Sequence, residues 1–196
     1  MNAEIERYLA AVEAVKSDAR VLVAGLSPEQ FNWRPEPGRW SIGECLDHLN
    51  TIEKVFPAVD RAMDDADHRG LTSPGPFRYG WWSRLVVRSM EPPPLFRMRT
   101  FSMLLPASTP LDPARVRQAF LDLRDQFSRR LRRADGLDLR RAIVQSPVSR
   151  FVRLPLGAYF AFLLAHDRRH LWQARQVRLA PGFPVERGSS ARASPP

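Results

Sequence analysis

The chain of 196 residues is 44% hydrophobic and 26% charged, ordinary globular proportions with enough length to bury one full core. Its longest apolar run, residues 156–165, is far short of the roughly 20 residues a bilayer span needs, so no membrane partner is expected. Glu4, Glu6 and Glu13 interrupt what a signal peptide would make basic and then apolar, and the expectation is a cytoplasmic protein.

Two further bulk features narrow the class. Cys45 is the only cysteine, so no intrachain disulfide can form and a reducing compartment suits the chain. The net charge of +9 invites a nucleic-acid partner, yet of 30 basic residues only Lys16 and Lys54 are lysine. That bias fits the base composition of a coding sequence better than a phosphate-binding face, and nucleic acid is disfavoured as a partner.

In chain order, Ile5, Tyr8, Leu9, Val12, Val15, Ala19, Leu22 and Val23 recur at three and four and predict an amphipathic helix over 4–24, stopped by Gly25. Ser27-Pro28-Glu29-Gln30 predicts a short capped turn before Asn32. Residues 33–40 are too rich in proline to be regular, and their two tryptophans should pack over one end of the helices. Ser41-Ile42-Gly43-Glu44 is a capping box that launches a second helix, with Ile42, Cys45, Leu46, Leu49, Ile52, Phe56 and Val59 inward and an end near Asp67. Pro57 should kink that helix or break it in two.

Residues 68–111 form a long connection with two proline clusters and a short helix over 80–90. Its aromatic residues should lie dry, as a lid on the other helices. Asp112-Pro113 starts a third helix, with Val116, Ala119, Phe120, Leu123, Phe127 and Leu131 inward and its arginines, Arg124 among them, mostly outward. A second long loop, extended around residues 142–144, leads to Pro155 as first residue of a fourth helix ending near Arg178. Residues 187–196 are predicted to be a disordered tail to a single domain over 1–186.

The fourth helix carries the chemistry. Its first ten residues are apolar or glycine, and His166 and His170 then follow four positions apart, on one face. Two imidazoles so spaced are the simplest chelate a helix offers a transition metal. At 1.5 Å per residue, His48 lies about 10 Å into the second helix, and His166 and His170 lie about 12 to 18 Å from the end of the fourth. Antiparallel pairing of these helices levels all three rings.

Together, Trp40-Ser41-Ile42-Gly43-Glu44-Cys45-Leu46-Asp47-His48-Leu49 and His166-Asp167-Arg168-Arg169-His170-Leu171-Trp172-Gln173 resemble the DinB/YfiT-like superfamily of bacterial metalloproteins. The first matches its W-S-x-x-E-x-x-x-H-L start of helix two, the second its H-x-x-x-H-x-x-Q pattern in helix four. The resemblance implies an all-α, up-down-down-up four-helix bundle, a divalent metal on His48, His166 and His170, and frequent homodimers. It also implies a small-molecule substrate, with thiol-dependent S-transferases using low-molecular-weight thiols and metal-dependent hydrolases among the members.

Three neutral imidazoles would leave a zinc-like ion at least one open position, zinc being the expected metal and nickel or iron(II) the other candidates. Glu44, one turn before His48, is the candidate catalytic residue, as a base or by orienting the His48 ring, although the capping of Ser41 is its favoured role. Asp167 points about 100° away from His166. Cys45 reads as inert packing, His68 and the pair Arg168 and Arg169 as solvated. The alternative function is a non-enzymatic, stress-associated or dimeric interaction module with a structural metal.

Overall fold

Asn2 begins the first helix by accepting the backbone N–H of Glu4 at 2.8 Å, supplying one partner that a helix start lacks. The computed structural model describes residues 1–93, 110–147 and 152–185; the tail expected over 187–196 lies outside them. Helix α1 runs over Ala3–Val23, and Gly25 behind it takes the left-handed φ of 71° that glycine adopts without strain. Ser27 and Gln30 close a capping box at the head of α2, Pro28–Asn32. A second capping box, Ser41 with Glu44, opens α3, Ile42–Asn50. A Cβ on Gly43 would sit 2.5 Å from a ring carbon of Phe31, so glycine is what lets α2 lie against α3.

The expected long second helix divides. A 3-10 turn over Thr51–Lys54 separates α3 from α4, Phe56–His68. The division falls just ahead of Pro57, which thereby sits in the first turn of α4, where its missing N–H leaves no ladder bond unmade. Helix α5 covers Trp81–Met90 and α6 covers Pro113–Arg133, capped by Asp112.

Strand β1, Ile143–Gln145, pairs antiparallel with β2, Arg153–Pro155, in the register Val144 to Leu154. The extended stretch at 142–144 is thus observed and its partner strand is an addition. Pro155 closes β2 and caps α7, Leu156–Arg178, so the last helix begins one residue later than expected.

Long-range bonds fix the directions. Asn2 N–H donates to Asp135 at 2.8 Å and Lys16 Nζ to Asp125 at 2.6 Å, so α1 and α6 run oppositely. The Tyr8 hydroxyl reaches the Gly157 carbonyl at 2.9 Å and Arg178 donates to the Leu22 carbonyl at 3.0 Å, which makes α1 and α7 parallel. Asn50 bonds Val116, near the start of α6, and Arg130 bonds Asp60, further along both elements, so α3 and α4 run with α6. The result is the expected all-α, up-down-down-up four-helix core, with α2, α5 and the β-ribbon as extra elements.

Two apolar clusters fill it. One joins Ile5, Met63, Phe127 and Phe160 from the start of α1, α4, the end of α6 and the start of α7. The other joins Ala19, Leu46, Phe120 and Ala174 from the opposite halves. The level at which they meet is polar.

Two expectations are corrected. Arg124 faces inward, fully buried, because it meets the Asp167 carboxylate there. Helix α5 packs on α7, yet Trp81 and Trp82 are 69% and 51% exposed. Ser83 is its buried residue and meets Ala158 and Ala161 of α7 around a shared cavity, a seat built of small side chains that turns the indoles outward. No helix among the described residues is long and apolar enough to cross a membrane.

Candidate metal centre

His48 occupies the last turn of α3, and its carbonyl accepts the Thr51 hydroxyl at 2.7 Å where the helix tightens. Because α3 and α7 run oppositely, the ring meets His166 and His170 at mid-height of α7. His48 Nε2 lies 3.1 Å from His166 Nε2, and one nitrogen from each of the three rings falls within 4.8 Å of the others. Ring centroids are 5.0 Å apart for His48 and His166, 4.5 Å for His48 and His170, and 4.6 Å for His166 and His170.

This arrangement fits a divalent ion. Two nitrogens each about 2.1 Å from a tetrahedral centre stand about 3.4 Å apart, close to the 3.1 Å seen between His48 and His166. His170 Nδ1 is buried without a hydrogen-bond partner among the described residues, a state that costs free energy unless something takes up its lone pair or proton. Burial, helped by the neighbouring His48, Arg124 and Arg169, pushes the His166 imidazole down to about 3. Burial and the other two rings push His170 well below its usual range. Both rings are therefore neutral at pH 7, which is the ligand form.

Trp40 walls the centre, its indole 4.9 Å from the His48 ring and stacked at 5.6 Å on His170. Trp33 packs instead on Phe183 at the bundle end, so only one of the two tryptophans goes where both were expected. Phe162 stacks on His166 at 6.4 Å.

Glu44 is buried and committed. Its Oε2 accepts the Ser41 N–H at 2.9 Å and Arg34 Nε at 2.8 Å, while Oε1 accepts Arg34 Nη2. Asp167 turns away from the rings, as its place on the helix requires, onto Arg124. Arg168 grips Glu91 through Nε and Nη2, one edge of its guanidinium. Arg169, expected in solvent, is only 8% exposed and donates to the Ser89 carbonyl at 3.0 Å, since α5 covers that side of α7. His68 is exposed. Cys45 is buried, and burial with the Glu44 charge nearby pushes its thiol up, toward the inert form.

Arg34 and Arg124 belong to this site beyond the residues its sequence motifs mark, whereas Trp40 heads the motif that carries His48. For Arg124 the available signal was its position three residues before Phe127 and four after Phe120, within the buried stripe. Arg34 carried none.

A model of the DinB superfamily matches residues 11–174. A similar solved structure is that of YfiT from Bacillus subtilis, described as a probable metal-dependent hydrolase with an unusual four-helix bundle topology. It is 14% identical, with a TM-score of 0.55, over 91% of this chain and 89% of that one. No curated protein matches.

Proposed function

The chain belongs to the DinB superfamily, and from that premise we propose that it is a divalent-metal-dependent enzyme acting on a small molecule, with His48, His166 and His170 as the metal ligands. The observation that carries this reading is the convergence of three ring nitrogens from α3 and α7, with the buried His170 Nδ1 making no hydrogen bond among the described residues.

Zinc is the metal best suited to three neutral imidazoles. The chemistry such an ion supplies is acidification of a water or a thiol near neutral pH, which serves either hydrolysis or transfer to a low-molecular-weight thiol. The chain's own residues do the rest. Trp40 and Phe162 shield the rings from bulk water. Glu44, with both carboxylate oxygens engaged, holds the start of α3 and thereby the bearing of His48, so its place is in positioning rather than in proton transfer. An open groove of about 370 Å³ between α5 and α7, lined by Tyr79, Arg84, Val87, Arg88, Ala158 and Ala161, comes along α7 to five residues before His166. Its size suits a small substrate. A cytoplasmic location and a homodimeric state complete the reading, the latter open to light scattering.

Elemental analysis of protein purified without added metal is expected to return one equivalent per chain, and His166→Ala/His170→Ala to return none. Equal metal in both would refute the assignment. Chelation separates an enzyme from a metal-stapled module: the stripped protein should stay folded and regain turnover with zinc, whereas unfolding on chelation would favour the module.

A further inference from the structure

The polar level between the two apolar clusters holds one feature that metal ligation does not account for. Arg124 and Asp167 are 0% and 1% exposed. A buried ion pair is a poor source of stability, since apolar side chains of the same volume fill such a space as well or better. The bond that no apolar substitute could make is the third one. While Nε donates to Asp167 Oδ2 at 3.2 Å and Nη2 to Oδ1, Arg124 Nη1 donates to the Leu49 carbonyl at 3.1 Å. Leu49 directly follows His48, and Asp167 directly follows His166. One rigid guanidinium on α6 therefore grips the backbone beside one candidate ligand and the side chain beside another, on two helices that run in opposite directions. The Phe120 ring, 4.0 Å from the guanidinium carbon, fixes its plane.

We propose that Arg124 is a positioning residue of the metal centre. By bonding α3 and α7 at once it sets the gap between His48 and His166, so that the rings are already at ligating distance before an ion arrives. A planar fork constrains direction as well as distance, and a lysine, a single charged point, would not span both acceptors. The effect on metal binding rests on the reading given under Proposed function; the effect on the gap does not.

Two variants test this. Arg124→Met/Asp167→Leu removes both charges together, so neither is left buried alone, and keeps the apolar volume. Arg124→Lys keeps the charge and gives up the fork. For each, the measurements are thermal midpoint without metal, zinc affinity by competition with a chromophoric chelator, and the His48 to His166 nitrogen separation in a metal-free crystal structure. The double variant is expected to melt within a few degrees of the wild type, to show a separation widened beyond 4 Å, and to bind zinc about 10- to 100-fold more weakly, the usual cost of losing a group that orients ligands. Arg124→Lys should melt like the wild type and recover only part of the affinity. A folded double variant that keeps the wild-type separation and zinc affinity overturns the proposal. If it does not fold, the same two results in Arg124→Lys decide. If the wild type takes up no zinc, the metal reading fails, and the crystallographic separation still supports or overturns the role of Arg124.

Discussion

The two halves of α7 are buried by opposite means. From Leu156 to Ala165 the helix is enclosed by apolar contact, with Phe160 against Phe127 and Tyr8, and its polar demands are met at the N-terminal edge by Tyr8 and Tyr79, which both bond Glu4. Burial beside that carboxylate pushes both phenols up, keeping them as donors. From His166 to His170 five polar residues follow one another, and Asp167, Arg168 and Arg169 each reach a different element: α6, the residue after α5, and α5 itself. The first half tolerates exchange of one apolar group for another; the second is a set of specific pairings, in which removing one partner strands the other.

That contrast can be broken most sharply at Asp167. Asp167→Ala leaves the Arg124 guanidinium buried without its counter-charge and is expected to destabilise the protein by about 3 to 5 kcal/mol in urea titration; a loss below 1 kcal/mol would mean that the second half is no more pair-dependent than the first. In the apolar half the sensitive position is Gly157, where an added Cβ would lie 1.8 Å from the Tyr79 hydroxyl. Gly157→Ala should cost about 1 to 3 kcal/mol by displacing that ring, and Gly157→Ala with Tyr79→Phe should cost less than the two single changes summed, since losing the hydroxyl removes the closest contact and leaves the ring carbon at 2.7 Å.

The most gradual test is the pH dependence of the metal-free protein. In the folded state His166 and His170 resist protonation, while in the unfolded chain they take up protons below about pH 6.5. Folding is therefore favoured above that value and weakens as pH falls, by up to about 1.4 kcal/mol per pH unit for each ring. Urea midpoints from pH 7 to 5 should fall for the wild type and fall less for His166→Ala/His170→Ala. Parallel curves would show that the rings are not held neutral.

How much of this was legible in the sequence follows from how local each signal is. The helix starts at Ser27, Ser41 and Asp112 were readable because a cap is made within four residues. The His166 and His170 pair was readable because helical spacing alone puts both on one face. His48 joined them through its depth along an antiparallel helix together with the resemblance to a family. Arg124 was misread because arginine at the edge of an apolar stripe usually snorkels to solvent, and what holds it inside, Asp167, lies 43 residues away. Trp81 and Trp82 were misread for the opposite reason, as bulk hydrophobicity does not say which face of a short helix is small enough to fit its seat. Strand β2 could not be seen at all, since three residues ending in proline carry no period.

His48 and His166 are 118 residues apart in the chain, and His166 and His170 both lie on α7. A ribosome that has delivered α1 through α6 has released, of the three clustered histidines, His48 alone, together with Arg124 and no Asp167. The three rings can therefore come together only once α7 has been made, and a chain cut short before α7 would hold the Arg124 guanidinium with no Asp167 to meet it.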